Sequence, residues 1–519
     1  MKPFDASGAF APSVPAGGRA LRRVAVKGAG VTVFYGGVRL VIQMAGTVVL
    51  ARLIAPRDFG LVTMITTFSA LLVGVGSSGI QEAIAQCQRI DHAVASNIFW
   101  IYATLGAFLT LGFAGAGSLI AKFYGEPALA SLALLLSATI FLTSVSTVHM
   151  ALLLRAMRFS SVSRIEIVAR AVSVAVCILF ALAGWGRWAL VMGACALPLS
   201  QTIGAWSQCP WMPGRPRRAP GTRTLLLFGV HSLGRFTVNY FVSNTDNLLV
   251  GLRFGARPLG FYKRAYDLFS LSASQLVSAT TLVAVSALSR VRDDRAQFHR
   301  YLLGAITVVA FLGMGIAGDL TLIGKDLIRL LLGPGWESAG QIFTFFAPGI
   351  GMMLIYGTHE WIHLSLGRAD RWFLWGIIHW VVTTMLFLAC IHWGPQGIAV
   401  AWGLSFWILT IPAMAYAGKP IGLRVTSVLA VVWRYIAAAT LAGLTTSLIC
   451  PRWEILSKAS GASGAALRVG VISLLFGFLY LGAIVVLHRG FGPFRNVIRL
   501  LKEMASVAPL PATAGTEAN

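Results

Sequence analysis

Apolar runs of membrane-spanning length recur from one end of this sequence to the other. Each is about 20 residues or longer, the length that an α-helix needs to cross the hydrocarbon core of a bilayer. Only 12% of the residues are charged, whereas a soluble domain has about a quarter. The runs number fourteen and lie at about 30–54, 59–80, 94–120, 127–150, 163–183, 187–208, 225–251, 259–288, 301–320, 340–366, 372–392, 396–417, 427–449 and 467–488. The sequence therefore predicts an all-α polytopic membrane protein with about 14 transmembrane helices.

The basic residues fall unevenly on the two sides of this predicted array. Fourteen spans put both termini on one side, where 26 Lys and Arg residues lie, against ten on the other side. Because cytoplasmic loops carry the excess of Lys and Arg, both termini are predicted to be cytoplasmic. Contact with anionic inner-leaflet lipid then accounts for the net charge of +24 without nucleic acid. The six cysteines form no CxxC pair and predict neither disulfides nor a metal site.

A weak internal repeat relates the two halves of the chain. Segment 48–62 aligns with 248–262 at an offset of 200, which pairs Arg57 with Arg257 and Gly60 with Gly260. Repeats of this kind in transporters place a substrate path between the halves. The predicted parts are a cytoplasmic N-terminal tail (1–29), a six-helix N-lobe (30–210), a basic cytoplasmic linker (211–224), a six-helix C-lobe (225–418), two further helices (427–488) and a cytoplasmic amphipathic tail (489–519).

Polar residues line one face of two predicted membrane helices. Arg235, Asn239 and Asp246 recur at helical spacing in the seventh span, and Arg39 and Gln43 do so in the first. A charged residue at the centre of a membrane helix costs about 2.5–3.5 kcal/mol, so Arg235 predicts a water-filled cavity between the lobes. Two alternatives stay open: Arg39 snorkels to the cytoplasmic surface, and Asp246 pairs with an arginine that follows it.

Charged residues in two further spans add to this set. Glu166 and Arg170 lie four residues apart in the fifth span, which predicts an ion pair between them. In the eighth span, Lys263 can pair with Asp267 at the same spacing, and Arg264 lies beside them. Cations exceed carboxylates over these helices. Because arginine forks match phosphate oxygens, the sequence predicts an anionic substrate such as a diphosphate.

An H-E-x-x-H motif, His359 to His363, lies in the tenth span. On a helix, two histidines four apart can bind zinc while the glutamate acts as a base, as in intramembrane metalloproteases. A catalytic zinc needs a third protein ligand, and the later spans offer no Asp-Gly pair to supply it. Polar packing and proton coupling are the other two interpretations, because histidine titrates near physiological pH. No other enzyme motif occurs, which predicts a transporter without a cofactor.

The segment at the junction of the seventh and eighth spans resembles the signature of bacterial polysaccharide flippases. In order, its matching residues are Asp246, Val250-Gly251, Gly255, Leu259-Gly260-Phe261-Tyr262 and Ala265-Tyr266. Segments such as "FYGEP", "GWGRWALV" and "LIRLLLGPGW" extend the similarity over most of the chain. Together they resemble the Wzx-type exporters of lipopolysaccharide and exopolysaccharide, a branch of the multidrug/oligosaccharidyl-lipid/polysaccharide superfamily.

That resemblance implies a V-shaped fold of two lobes around a central cavity. It implies that an undecaprenyl-diphosphate-linked oligosaccharide is moved, by alternating access, from the cytoplasmic to the periplasmic leaflet of the bacterial inner membrane. We expect a monomer that works beside a polysaccharide polymerase and glycosyltransferases. The coupling source is a proton gradient, a sodium gradient or the membrane potential. A lipid II-type flippase and a multidrug antiporter of the same superfamily are the alternatives; an antiporter of cationic drugs should have net carboxylates in its cavity.

The polar stripes supply the candidate site residues. Those expected to bind the diphosphate and sugars are Arg39, Gln43, Arg170, Arg235, Asn239, Lys263 and Arg264. Those expected to serve in gating or ion coupling are Asp246, Glu166, His359 and His363. The H-E-x-x-H motif is not part of the family pattern, so its role stays open.

Overall fold

The computed structural model describes residues 3–11, 18–77, 79–87, 90–453, 461–492 and 494–495. Within these ranges it does not describe the side chains of residues 18–29, 31–33, 82, 85–86, 231, 235, 271–280, 282–283 and 451. Most of the predicted amphipathic tail, 489–519, lies outside the described residues.

Fourteen long α-helices and one short helix make up the described part of the chain, which contains no β-strand. In chain order they are α1 (Gly18–Leu53), α2 (Pro56–Val75), the short α3 (Ile80–Gln86), α4 (His92–Tyr124), α5 (Ala128–Arg155), α6 (Phe159–Leu182), α7 (Arg187–Gln208), α8 (Thr222–Phe254), α9 (Ala256–Arg290), α10 (Arg295–Leu332), α11 (Glu337–Ser365), α12 (Ala369–Cys390), α13 (Gly394–Gly418), α14 (Val425–Ile449) and α15 (Gly461–His488). Each long helix coincides with one predicted span. The all-α polytopic fold is therefore confirmed.

Eleven stretches of the described residues are long and apolar enough to cross a membrane. One of them, Ala369–Ile421, contains both α12 and α13, which the 3-10 turn Ile391–Trp393 joins. Helices α8 and α9 are not among the eleven. These two helices hold the flippase-like signature and its charged residues, and their position in the membrane stays a prediction from the sequence.

Helix α10 is longer than the predicted ninth span, which ended at residue 320. Two acidic residues in its second half have partners on α15. The guanidinium group of Arg468 donates to both carboxylate oxygens of Asp326, at 2.6 and 2.9 Å. The Ser473 hydroxyl donates to Asp319 at 3.0 Å. The helix therefore continues past residue 320, and these two acids join its second half to α15.

The chain divides into two compact units. The first comprises residues 1–263 together with 331–336, and the second comprises 264–330 together with 337–519. The first unit holds α1 to α8, the first turns of α9 and the last two residues of α10, and the second holds the remainder of α9 and α10 together with α11 to α15. The predicted boundary between lobes, at 211–224, remains a prediction, as do the V shape and the central cavity.

The helices of each unit pack in a few close pairs. In the first unit, α1 packs on α6, α6 on α7, and α4 on α5. In the second unit, α11 packs on α13, and α14 on α15. Gly349 of α11 faces Gly403 of α13 with backbone against backbone. Small residues allow helices to approach closely in this way, which is a common packing mode in membranes.

Residues 3–11 of the first unit fold onto the start of α4, although the sequence predicted a tail there. The backbone amide of His92 donates to the carbonyl oxygen of Gly8 at 2.8 Å. The Asp5 carboxylate closes the turn by accepting from the Ser7 hydroxyl at 2.6 Å. This hydrogen bond holds the pKa of Asp5 below its ordinary value.

The predicted basic linker, 211–224, is likewise held against α4. The Asn97 side chain bonds both backbone groups of Arg217, receiving from its amide at 3.0 Å and donating to its carbonyl at 2.5 Å. The indole of Trp100 donates to the carbonyl of Gly214 at 2.9 Å. The linker backbone is therefore fixed, while the Arg217 side chain is exposed.

Candidate functional site

The flippase-like signature forms the junction between α8 and α9. Gly255, with φ of 84°, ends α8 and allows α9 to begin at the next residue. Asp246, on the α8 side, is fully buried and accepts a hydrogen bond from the Tyr262 hydroxyl, on the α9 side, at 2.8 Å. Its other oxygen accepts from the backbone amide of Asn247 at 2.8 Å. Tyr262, which the charge pattern does not single out, is thus one partner of Asp246.

The two repeated segments meet through a reciprocal pair of glycines. A Cβ atom on Gly60 would overlap the carbonyl oxygen of Ala256, and one on Gly260 would overlap the carbonyl oxygen of Pro56. Adding 200 to Pro56 and Gly60 gives Ala256 and Gly260, so the contact maps onto itself under the offset of the repeat. The geometry therefore supports the weak repeat seen in the sequence.

Trp336 covers this contact. Its indole nitrogen donates to the carbonyl of Ala51 at the end of α1, at 2.8 Å. Its ring lies 5.6 Å from that of Phe59 and 5.7 Å from that of Phe261. Trp336 belongs to the "LLLGPGW" segment of the family resemblance, and its position gives that segment a structural role beside the signature.

Buried polar atoms without partners lie on the helices next to Asp246. The carbonyl oxygen of the Asn247 side chain and the hydroxyl of Tyr124 have no hydrogen-bond partner among the described residues. Tyr124 packs beside Gly251, one turn after Asn247 on α8. A buried polar atom left unpaired costs about 1–3 kcal/mol, so native proteins usually pair such atoms with water or an ion.

Arg39 and Glu166 form an ion pair that joins α1 to α6. Their side chains approach to 2.9 Å and are 46% and 37% exposed. The predicted ion pair between Glu166 and Arg170 is wrong, because Glu166 reaches across to the neighbouring helix instead. The close packing of α1 on α6, at Gly46 against Val174, brings Arg39 within its reach.

Arg170 completes a group that we call the α1–α6 charge cluster, consisting of Arg39, Glu166 and Arg170. Arg170 interacts electrostatically with both other members. Its Nε atom is buried and has no hydrogen-bond partner among the described residues. With two arginines and one glutamate, the cluster carries one net positive charge.

The other predicted substrate residues are placed less closely together. Gln43 of α1 is half-buried and Asn239 of α8 is exposed. The side chain of Arg235 lies outside the described residues, so its position in a cavity stays a prediction. Lys263 ends the main segment of the first compact unit, and Arg264 begins the second. Arg264 pairs with Asp267 at 3.2 Å.

The two histidines of the H-E-x-x-H motif are buried within the second unit. His359 and His363 have ring centroids 5.8 Å apart. Among the described residues, no three His, Cys, Asp or Glu side chains come close enough to hold one metal ion. A third histidine, His379 of α12, is also buried beside them. The sequence patterns do not single it out, because its partners lie on α11.

The chain is similar in sequence to proteins of bacterial polysaccharide assembly. Residues 49–341 match a family described as "Polysaccharide biosynthesis protein". The chain is 22% identical over 336 residues to the succinoglycan biosynthesis transport protein ExoT of Rhizobium meliloti (strain 1021). The aligned residues cover 65% of this chain and 68% of ExoT. It is 23% identical over 370 residues to the lipopolysaccharide biosynthesis protein WzxC of Escherichia coli (strain K12), covering 70% of this chain and 73% of WzxC.

Solved transporter structures share the fold. The lipid II flippase MurJ, in an inward closed conformation, matches with a TM-score of 0.71 and 13% identity over 88% of this chain and 98% of that chain. A multidrug resistance MATE family transporter of the MOP superfamily, in an inward-facing conformation, matches with a TM-score of 0.58 and 14% identity over 74% of this chain and 94% of that chain.

These findings confirm the resemblance to Wzx-type exporters. The family match spans more than half of the chain and includes segment 248–262, all but the first residue of segment 48–62, and Glu166 and Arg170 of the charge cluster. The relatives are transport proteins rather than enzymes, in agreement with the predicted transporter class. The chain therefore belongs to the polysaccharide biosynthesis protein family, and its fold is that of the MurJ and MATE transporter structures.

Proposed function

We propose that the protein moves an undecaprenyl-diphosphate-linked oligosaccharide from the cytoplasmic to the periplasmic leaflet of the bacterial inner membrane. The oligosaccharide is a repeat unit for lipopolysaccharide or exopolysaccharide, and transport proceeds by alternating access. The relatives act in making succinoglycan and lipopolysaccharide, which supports a glycan substrate. Glycosyltransferases would supply this substrate, and a polysaccharide polymerase would consume it.

The observation that carries the proposal is the net positive α1–α6 charge cluster. Glu166 is occupied by Arg39, so the second arginine, Arg170, keeps donor groups for a ligand. An arginine fork binds phosphate oxygens through paired, charge-assisted hydrogen bonds. A lipid diphosphate is the anionic part of a flippase substrate that the Arg170 guanidinium would bind. A carrier of cationic drugs would need the opposite charge at this place.

The remaining predicted residues take supporting roles in this proposal. The residues that contact the diphosphate or the sugars along the translocation path are Arg235, Asn239, Gln43, Lys263 and Arg264. Asp246 acts in gating or ion coupling, because it is buried, titratable and bonded across the α8–α9 junction to Tyr262. Both termini lie in the cytoplasm, and the protein works as a monomer whose basic surface meets anionic inner-leaflet lipid.

Deletion of the gene in its host tests this function. We expect surface polysaccharide to be lost and lipid-linked repeat units to accumulate in the inner leaflet, because synthesis continues while export stops. Both can be measured by carbohydrate analysis of the cell surface and by mass spectrometry of extracted lipids. A plasmid-borne copy should restore export. Accumulation of peptidoglycan precursor with cell lysis would instead indicate a lipid II-type flippase, and unchanged polysaccharide and lipids would contradict the proposal.

A further inference from the structure

A row of titratable rings runs along the contact between α11 and α12. Tyr356, His359 and His363 lie at steps of three and four on α11, and so share one face. His379 meets them from α12. Successive ring centroids are 5.8 Å apart from His363 to His359, 4.5 Å from His359 to Tyr356, and 5.1 Å from Tyr356 to His379. We call these four residues the histidine row.

The histidine row is buried within an apolar bundle. His359 is 4% exposed, His363 2% and His379 8%. Polar side chains inside a membrane protein are costly and rarely kept without a function. Simple packing would be met as well by leucine or phenylalanine at these positions. The burial of three imidazoles on two facing helices therefore calls for a role that uses their chemistry.

Hydrogen bonds fix the middle of the row and leave it able to exchange protons. Nδ1 of His359 lies 2.5 Å from the carbonyl oxygen of Tyr356, a geometry in which Nδ1 donates and Nε2 keeps a lone pair. The indole of Trp375 donates to the Tyr356 hydroxyl at 2.9 Å. That hydroxyl still has its own proton to donate.

Unpaired polar atoms mark the two ends of the row. Nε2 of His363 and Nε2 of His379 are buried without a hydrogen-bond partner among the described residues. The same is true of the hydroxyl of Thr383, one turn after His379 on α12. Unsatisfied buried groups of this kind indicate a water molecule or an ion that completes them. An imidazole nitrogen that keeps its lone pair can take up a proton, so the row offers sites for one.

We propose that the histidine row binds the proton whose uptake and release couples transport to the proton gradient. This deepens the proposed function, on which the coupling step rests, and it selects the proton among the possible coupling sources. A proton enters at an unpaired Nε2 and forms an N–H bond there. It passes along the row when a protonated imidazole or the Tyr356 hydroxyl gives its proton to the next group, which then releases the proton that it already carries.

The charged and polar groups that face the histidine row determine how its protonation affects the packing of the helices. Arg371 of α12 lies over the ring of Tyr416 of α13 at 4.3 Å, and that ring lies 5.9 Å from His363. Asp370 and Arg368 lie at the same end, and Glu360 shares helix α11. Helix α9 contributes the hydroxyl of Thr281, which accepts from Trp361 at 2.8 Å, and α10 packs through Gly313 against Gly351.

Charge on His363 would therefore appear beside two arginines and one aspartate. The net repulsion favours an arrangement in which the α11–α12 contact at this end loosens. The neutral row favours the packed arrangement described here. The two arrangements of the second unit thus differ in their affinity for a proton. This difference is the condition for coupling.

The test uses the full-length protein in lipid bilayers, labelled with ¹⁵N at histidine. Solid-state NMR distinguishes neutral from charged imidazoles as the pH is lowered from about 8 to about 4, the range in which histidines change charge. We expect buried imidazole signals that change protonation state and disappear in H363Q and H379Q. The matched control is H392Q, because His392 is exposed in the same unit. Signals that stay neutral throughout, whatever the transport activity, would overturn the proposal.

A second arm uses proteoliposomes containing an undecaprenyl-diphosphate oligosaccharide. We expect an imposed pH gradient to accelerate translocation by the wild type and by H392Q, and this acceleration to be lost in H379Q. Equal acceleration in H379Q would also overturn the proposal. Absence of translocation under every gradient, with titration of the row intact, would contradict the flippase function and leave the proton site standing. The two failures are therefore distinguishable.

Discussion

Substitution of Gly260 by alanine is expected to remove most folded protein from the membrane. The added methyl group would overlap the carbonyl oxygen of Pro56, which belongs to the backbone and cannot turn aside. Overpacking costs about 1–3 kcal/mol when side chains can adjust. A rigid backbone obstacle should cost about 3 kcal/mol or more, because α2 and α9 must separate. Membrane abundance and the thermal midpoint of the purified protein measure this effect.

The symmetry of the contact supplies a companion variant and a control. Gly60→Ala meets the carbonyl of Ala256 in the same way and should be equally damaging. Gly37→Ala, on α1 of the same compact unit, has nothing within 4 Å of the added atom and should be neutral or slightly stabilising. If Gly260→Ala and Gly37→Ala behaved alike, the close approach of the two repeated segments would be refuted.

Substitution of Arg170 by glutamine is expected to lower polysaccharide export at least about tenfold while membrane abundance is kept. A hydrogen bond to a charged group contributes about 1.5–3 kcal/mol, and 1.4 kcal/mol corresponds to a factor of ten. The substitution leaves the Arg39–Glu166 ion pair in place, so it removes the net positive charge of the cluster without opening α1 from α6. Surface polysaccharide per cell measures the effect.

Two further variants show whether the loss of export comes from the Arg170 side chain itself or from a general disturbance of α6. Arg170→Lys keeps the charge but loses the planar fork, and should retain part of the export. Arg164→Gln removes an exposed arginine from the same helix, and should export normally. Full export by Arg170→Gln at normal abundance would show that the α1–α6 charge cluster does not bind the substrate.

The length of the apolar runs predicted the long helices well, because it is a local property of the sequence. It also placed the signature correctly at the α8–α9 junction, where Gly255 supplies the backbone conformation that a direct helix-to-helix turn needs. The end of α10 was not predicted, because its second half is joined to α15 by Arg468 and Ser473, about 150 residues away along the chain.

The sequence did not predict which side chains on neighbouring helices contact each other. A spacing of four showed that Glu166 can reach Arg170, but not that α1 packs on α6 and brings Arg39 closer. In the same way, the motif at His359 left zinc binding, polar packing and proton coupling open, and His379 joins it only through packing of α11 on α12. Spacing along one helix identifies a shared face, and the neighbouring helix decides what that face contacts.

Translocation by the purified protein tests the central claim most directly. Proteoliposomes would carry an undecaprenyl-diphosphate oligosaccharide in the inner leaflet, and an impermeant glycosidase outside would cleave every molecule that reaches the outer leaflet. The account predicts protein-dependent cleavage that rises with time for the wild type and falls at least about tenfold for Arg170→Gln. Cleavage at the rate of protein-free vesicles, or equal cleavage with both proteins, would contradict it.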